Sequence, residues 1–132
     1  MIADFRIKMA GMLPNQLEDR LIKFAVDVIL MGKHFDGSFA SEHLTKQLIR
    51  STTSVALNYG EARSAESSRD FLHKMKLSLK ELRESFVNMK IQRGANLITN
   101  IQMIDKLLIE NNELISIFVA SIKTASKKNN IQ

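Results

Sequence analysis

Apolar residues recur along most of this chain at intervals of three and four, the spacing that lays side chains along one side of an α-helix. Four such stretches predict four helices. In the first, Leu17, Leu21, Phe24, Val28 and Met31 form the stripe, Asn15 to Glu18 reads as a capping box just after Pro14, and GKHFDG ends the helix near His34. The second is expected from Ser41, its cap, through Leu44, Leu48, Ile49, Val55 and Tyr59 to Gly60, although Ser51, Thr52, Thr53 and Ser54 are weak helix formers. The third begins after Ser67 or Ser68 and carries Phe71, Met75, Leu79, Leu82, Phe86 and Met89 on one narrow arc. After the turn signal RGAN, a fourth helix carries Ile104, Leu107, Leu108, Leu114, Ile115, Phe118 and Ile122 and frays into KTASKKNNIQ. The predicted spans are 15–34, 41–60, 67–92 and 100–125, with a flexible arm over 1–14 and a flexible basic tail over 126–132. No stretch alternates like a strand, so the pattern predicts an all-α fold, an antiparallel up-down four-helix bundle forming a single domain over 1–132.

Two helix faces exceed what a lone bundle needs. The first helix carries Ile22, Val26, Ile29 and Leu30 on the side away from its core stripe. Such a helix is covered twice, by its own bundle and by a second copy, or else it sinks deep within a monomer. On the third helix Arg69, Lys76, Lys80, Arg83 and Lys90 fall within roughly 40° either side of one line at 3.6 residues per turn, while Asp70, Glu81 and Glu84 occupy the other flank. A basic stripe on a rigid rod matches phosphates spaced along a nucleic acid; the plainer alternative is a solvated face supported by Glu and Lys one turn apart.

Composition sharpens the second point. The 132 residues hold 19 Lys and Arg against 14 Asp and Glu, a net +5. Between Lys46 and Arg93 there are ten basic and five acidic residues, so that stretch accounts for the whole surplus and the rest balances at nine against nine. A positive surplus favours polyanions or an acidic partner. Tyr59 is the only tyrosine, and Phe71 and Phe86 fall on the core side, so contacts to nucleic acid are expected to be directed at the backbone, weak in sequence preference and sensitive to salt.

Candidate chemistry is sparse. With no cysteine, disulfides, thiolate metal sites and cysteine nucleophiles are excluded, which fits a reducing cytoplasm. Asp4, Arg6 and Lys8 interrupt the start of the chain where a signal peptide would be apolar, and no apolar run is long enough to span a membrane. His34, His43 and His73 lack metal-ligand spacing, and no glycine-rich phosphate loop is present, so no cofactor, no metal and no enzymatic activity are expected. Ser64, Ser67 and Ser68 precede a helix, where serines cap. Glu61, Glu66 and Asp70 have Arg63 and Arg69 as prospective partners. Asn58 and Glu61, at the expected end of the second helix, are read as tying down loose backbone groups there. Asn111 lies on the apolar arc of the fourth helix, either as a buried polar group that fixes register or as a half-exposed one.

The segment from Gln47 to Lys90 resembles the four-helix-bundle proteins encoded by 23S rRNA intervening sequences. Their pattern of Arg, Ser with an apolar residue, Asn and Glu, before a helix with a Phe and Ser-Leu-x-Glu-Leu, is met by Arg50, Ser54, Val55, Asn58, Glu61, Phe71, Ser78, Leu79, Glu81 and Leu82. Ala56 stands where many members have Pro, and Gly60 where many have Ala. The resemblance implies a bundle assembled into a homo-oligomeric ring, commonly a pentamer, without established enzymatic activity. Related accessory proteins of diversity-generating retroelements share the fold and bind nucleic acid and a reverse transcriptase through basic surfaces. On this reading Arg50, Ser54, Asn58, Glu61 and Glu81 hold the bundle together, and Ile22, Val26, Ile29 and Leu30 form the contact between copies. The basic stripe then binds RNA or DNA; the alternative is an adaptor that docks a nucleic-acid-processing protein without touching nucleic acid.

Overall fold

Every regular element is helical in the computed structural model, which describes residues 11–34 and 37–128: α1 (Pro14–Met31), α2 (Phe39–Arg63), α3 (Ser68–Gly94) and α4 (Ile101–Lys128), with a short 3-10 turn over Gly32–His34. No strand occurs among the described residues. Local chemistry sets the helix starts. Pro14 takes the first position of α1, where its missing N–H costs nothing, and the Leu13 N–H donates to Gln16 Oε1 at 3.0 Å. Ser38, Ser67 and Asn100 accept from the amides of Ser41, Asp70 and Met103 at 3.1, 3.0 and 3.0 Å, so each of the later helices opens on a side-chain cap. The end of α3 is closed by Asn96, in the left-handed region at φ 58. There the Leu97 N–H reaches Gln92 O at 3.0 Å and the Asn96 N–H reaches Arg93 O at 3.3 Å, the paired bonds of a left-handed helix stop. Gly94, the obvious turn residue in the sequence, is still helical.

Several expected helix bounds need correction. α2 starts one turn before Ser41, because Ser38 supplies the cap and Ser41 is buried within the first turn. α2 also runs through Gly60 to Arg63, since the flanking residues satisfy their backbone bonds helically and one glycine does not stop a well-packed helix. Asn58 and Glu61 therefore lie inside the helix and do not tie down its end. α1 begins at Pro14 itself, ahead of the expected box from Asn15 to Glu18. The fourth helix extends to Lys128, past the point where fraying was expected; the remainder of the expected tail, 129–132, and most of the N-terminal arm, 1–10, lie outside the described residues.

The four helices pack in up-down order around Leu21, Phe24, Leu48, Val55, Phe71, Leu82 and Phe118, each 0–1% exposed. Burial of one such side chain contributes about 1.5–3 kcal/mol. α2 and α3 share the most extensive contact. Its small polar residues turn their hydroxyls onto backbone carbonyls: Thr52 to Leu48 at 3.0 Å, Ser78 across to Val55 at 3.1 Å and Ser85 to Glu81 at 2.8 Å. The weak helix formers of α2 thus serve close helix approach. Asn88 Nδ2 donates to Leu44 O at 3.0 Å while its Oδ1 accepts from buried Gln92 Nε2 at 2.8 Å. Asn111 is fully buried and donates to Leu82 O at 2.9 Å, joining α4 to α3. Arg20 joins α1 to α4 through a fork onto Glu110, at 2.7 and 2.6 Å. At one end Tyr59 packs edge-on against Phe118 and donates its hydroxyl to Pro14 O at 3.3 Å.

Candidate functional site

The outward face of α3 concentrates the charge that the bundle leaves uncompensated. Of the ten basic residues from Lys46 to Arg93, five are held by carboxylates. Lys46 pairs with Glu42 at 3.0 Å, Arg50 with Glu81 at 3.0 Å and Glu84 at 3.3 Å, Lys74 with Glu61 at 3.3 Å, Arg93 with Asp105 at 3.0 Å, and Arg63 with Glu18. The other five are Arg69, Lys76, Lys80, Arg83 and Lys90, all exposed and in no ion pair among the described residues. Lys90 does lie over the Phe86 ring, 5.5 Å from its centroid, an attraction that leaves its charge free toward solvent. Glu61 and Arg63 thus find partners other than those read from sequence, and Arg69 finds none among the described residues.

Arg50 is the hinge of this sorting. Its guanidinium crosses from α2 to the acidic flank of α3 and engages both Glu81 and Glu84. Burial by itself pushes the Glu81 carboxyl up, but the hydrogen bonds and charge of Arg50, with the charge of Lys80, outweigh it and hold the group below the usual carboxylate range. Glu81 and Glu84 are consequently engaged from α2. That leaves the stripe cations of α3 in no ion pair among the described residues.

Beside the stripe runs an open groove of about 700 Å3. Its α2 side is formed by Leu44, Gln47 and Arg50, and its α3 side combines Lys76, Lys80 and Arg83 with Leu79, Val87 and Ile91, and with Asn88 and the Glu84 carboxylate that Arg50 engages. Three of the five stripe cations therefore share a concavity with apolar walls, whereas Arg69 and Lys90 lie outside it. Just before Leu44, Phe39 and His43 stand one turn apart with rings parallel to 4° and centroids 6.2 Å apart. Phe39 is 87% exposed. This pair was missed in the sequence because the helix start was placed at Ser41; an aromatic at i and i+4 behind the Ser38 cap was the signal.

Ile22, Val26, Ile29 and Leu30 are 42–48% exposed on α1. They are not sunk in the bundle, which removes the deep-burial alternative. Of the residues carrying the family pattern, Arg50 and Glu81 meet directly, Glu61 meets Lys74, and Ser54 and Asn58 are half-buried on α2. No group of three or more His, Asp or Glu among the described residues is placed to hold a metal, and no described helix is long and apolar enough to cross a membrane.

Fold and surfaces together define a four-helix bundle whose distinctive features are exposed faces and an open groove, not an enclosed pocket. The chain belongs to the 23S rRNA-intervening sequence protein family, whose model matches residues 16–120. It is similar to a crystal structure of a protein with unknown function from the S23 ribosomal protein family of Bacteroides thetaiotaomicron VPI-5482. The two are 27% identical, with a TM-score of 0.71 over 83% of this chain and 97% of that one. Comparison with the curated proteins finds no match.

Proposed function

We propose that this protein is a non-enzymatic, self-associating helical bundle that holds RNA or DNA through phosphate contacts from Arg69, Lys76, Lys80, Arg83 and Lys90. One observation carries the reading: within the basic stretch, the carboxylates take five cations and leave these five, all on one helix face. A solvated face supported by Glu and Lys one turn apart would have its cations paired along α3, whereas Glu81 and Glu84 are engaged by Arg50 from another helix. Ile22, Val26, Ile29 and Leu30 supply the contact between copies, and a ring of five, the state implied by the family resemblance, repeats the stripe five times and strengthens binding through multivalency.

Filter binding of a structured RNA across a salt series tests this. Five phosphate contacts on one copy give a slope of log affinity on log salt near −4. Replacing Lys76, Lys80 and Arg83 with Glu abolishes retention at low salt, and unchanged retention by that variant removes the stripe from the function. The apolar walls of the groove favour a second reading, an adaptor for an acidic, nucleic-acid-processing protein. Recovery of one defined protein after nuclease treatment supports that reading.

A further inference from the structure

We infer that the groove between α2 and α3 is built for single-stranded nucleic acid, with Phe39 and His43 as the platform on which an unpaired base stacks. The inference rests on the phosphate-binding reading and extends it from the backbone to the bases. Phosphate contact alone accounts for the cations but not for Leu79, Val87 and Ile91 lining the same concavity as Lys76, Lys80 and Arg83. A duplex keeps its base faces inside the stack and presents phosphates outward, so it has no use for apolar walls or an exposed ring. A single strand presents both, and every base has a face that stacks on an aromatic side chain whatever its sequence.

The placement fits such a track. Asn88 bonds Leu44 O, and Arg50 reaches Glu81 and Glu84, so α2 runs antiparallel along the groove with its N-terminal turn at the Ile91 end. His43 lies seven residues before Arg50, about 10 Å along the helix axis. Arg50 lines the groove and His43 does not, so the ring pair stands at the Ile91 end, just past the cation-lined concavity. The rings already lie parallel, and Phe39 is held by a capped helix start while 87% exposed, so the platform is formed before a base arrives. The Phe39 ring lies outside the buried core and stacks only on another exposed ring, His43, among the described aromatic contacts.

The test uses the full chain and two fluorescent probes, a 12-nucleotide single strand of mixed sequence and the blunt duplex of the same sequence. Phe39→Ala is expected to weaken the single strand at least fivefold and to leave the duplex unchanged, since stacking on one side chain is worth about that much or more. Phe39→Trp keeps the affinity and, because the chain has no tryptophan, reports stacking directly as fluorescence quenched by the single strand. Equal single-strand affinity of Phe39→Ala and the parent, or no quenching at saturation, overturns the platform while phosphate binding stands. Loss of both probes by the Lys76, Lys80 and Arg83 charge reversal, with Phe39→Ala still binding both as the parent does, separates the two outcomes. Failure of the parent to bind either probe ends both readings. A sedimentation coefficient lowered by Phe39→Ala assigns the ring to a contact between copies and likewise overturns the proposal.

Discussion

Asn88 carries more of the α2–α3 contact than a half-buried residue usually does. Its amide nitrogen holds a carbonyl of α2 and its oxygen satisfies Gln92, whose own Oε1 has no partner among the described residues. Asn88→Ala leaves a fully buried amide with no hydrogen bond at all, a loss of about 2 kcal/mol. The midpoint of urea unfolding should fall accordingly. Adding Gln92→Met to that variant should restore part of the loss, because no buried amide then remains; strict additivity of the two changes would mean that the residues do not act as a relay. Asn111 was legible in sequence as a polar residue on an apolar arc, and it is buried. The relay of Asn88 and Gln92 was not legible, because it depends on which turn of α2 faces which turn of α3.

At the scale of elements, the existence and order of the helices follow from apolar spacing, whereas their ends follow from interactions that spacing does not encode. Ser38, not Ser41, caps α2 because the cap is chosen by where the chain leaves the preceding turn. Asn96, not Gly94, stops α3 because the left-handed residue must also bring Leu97 onto the core, where it is buried. Gly60 is the clearest case. A Cβ built there meets only Glu18 Oε2, at 3.5 Å, an ordinary contact. Gly60→Ala should therefore stabilise the protein by about 0.5–1 kcal/mol through helix propensity and a less free unfolded chain. A thermal midpoint raised by a few degrees is the expected reading; a lowered one would show that the methyl group disturbs the Glu18–Arg63 pair beside it. The basic stripe was likewise visible as a periodicity. Its freedom from partners was not, since Arg50 approaches Glu81 and Glu84 from 31 and 34 residues away in the chain.

For the whole molecule, the decisive surface is the outer face of α1. Ile22, Val26, Ile29 and Leu30 contribute little to the monomer's core, so changing them should alter association and spare the fold. Val26→Glu with Ile29→Glu is expected to retain helical content by circular dichroism and to sediment as a monomer at concentrations where the parent assembles. A parent that already sediments as a monomer would leave this face without the proposed role. The same variant isolates multivalency, because its stripe is intact but no longer repeated, so its affinity for nucleic acid should drop without any cation being lost. The up-down course of the helices adds a practical asymmetry. Tyr59 at the far end of α2 bonds Pro14 and packs on Phe118, so the start of α1 and the closing turns of α4 gather at one pole. Phe39 opens α2 at the other, roughly 30 Å from Tyr59 by the rise of the helix over twenty residues. Tethered to a solid support through either pole-side helix end, the molecule would stand with its ring pair toward the bulk solution, and immobilisation would not mask what that end captures.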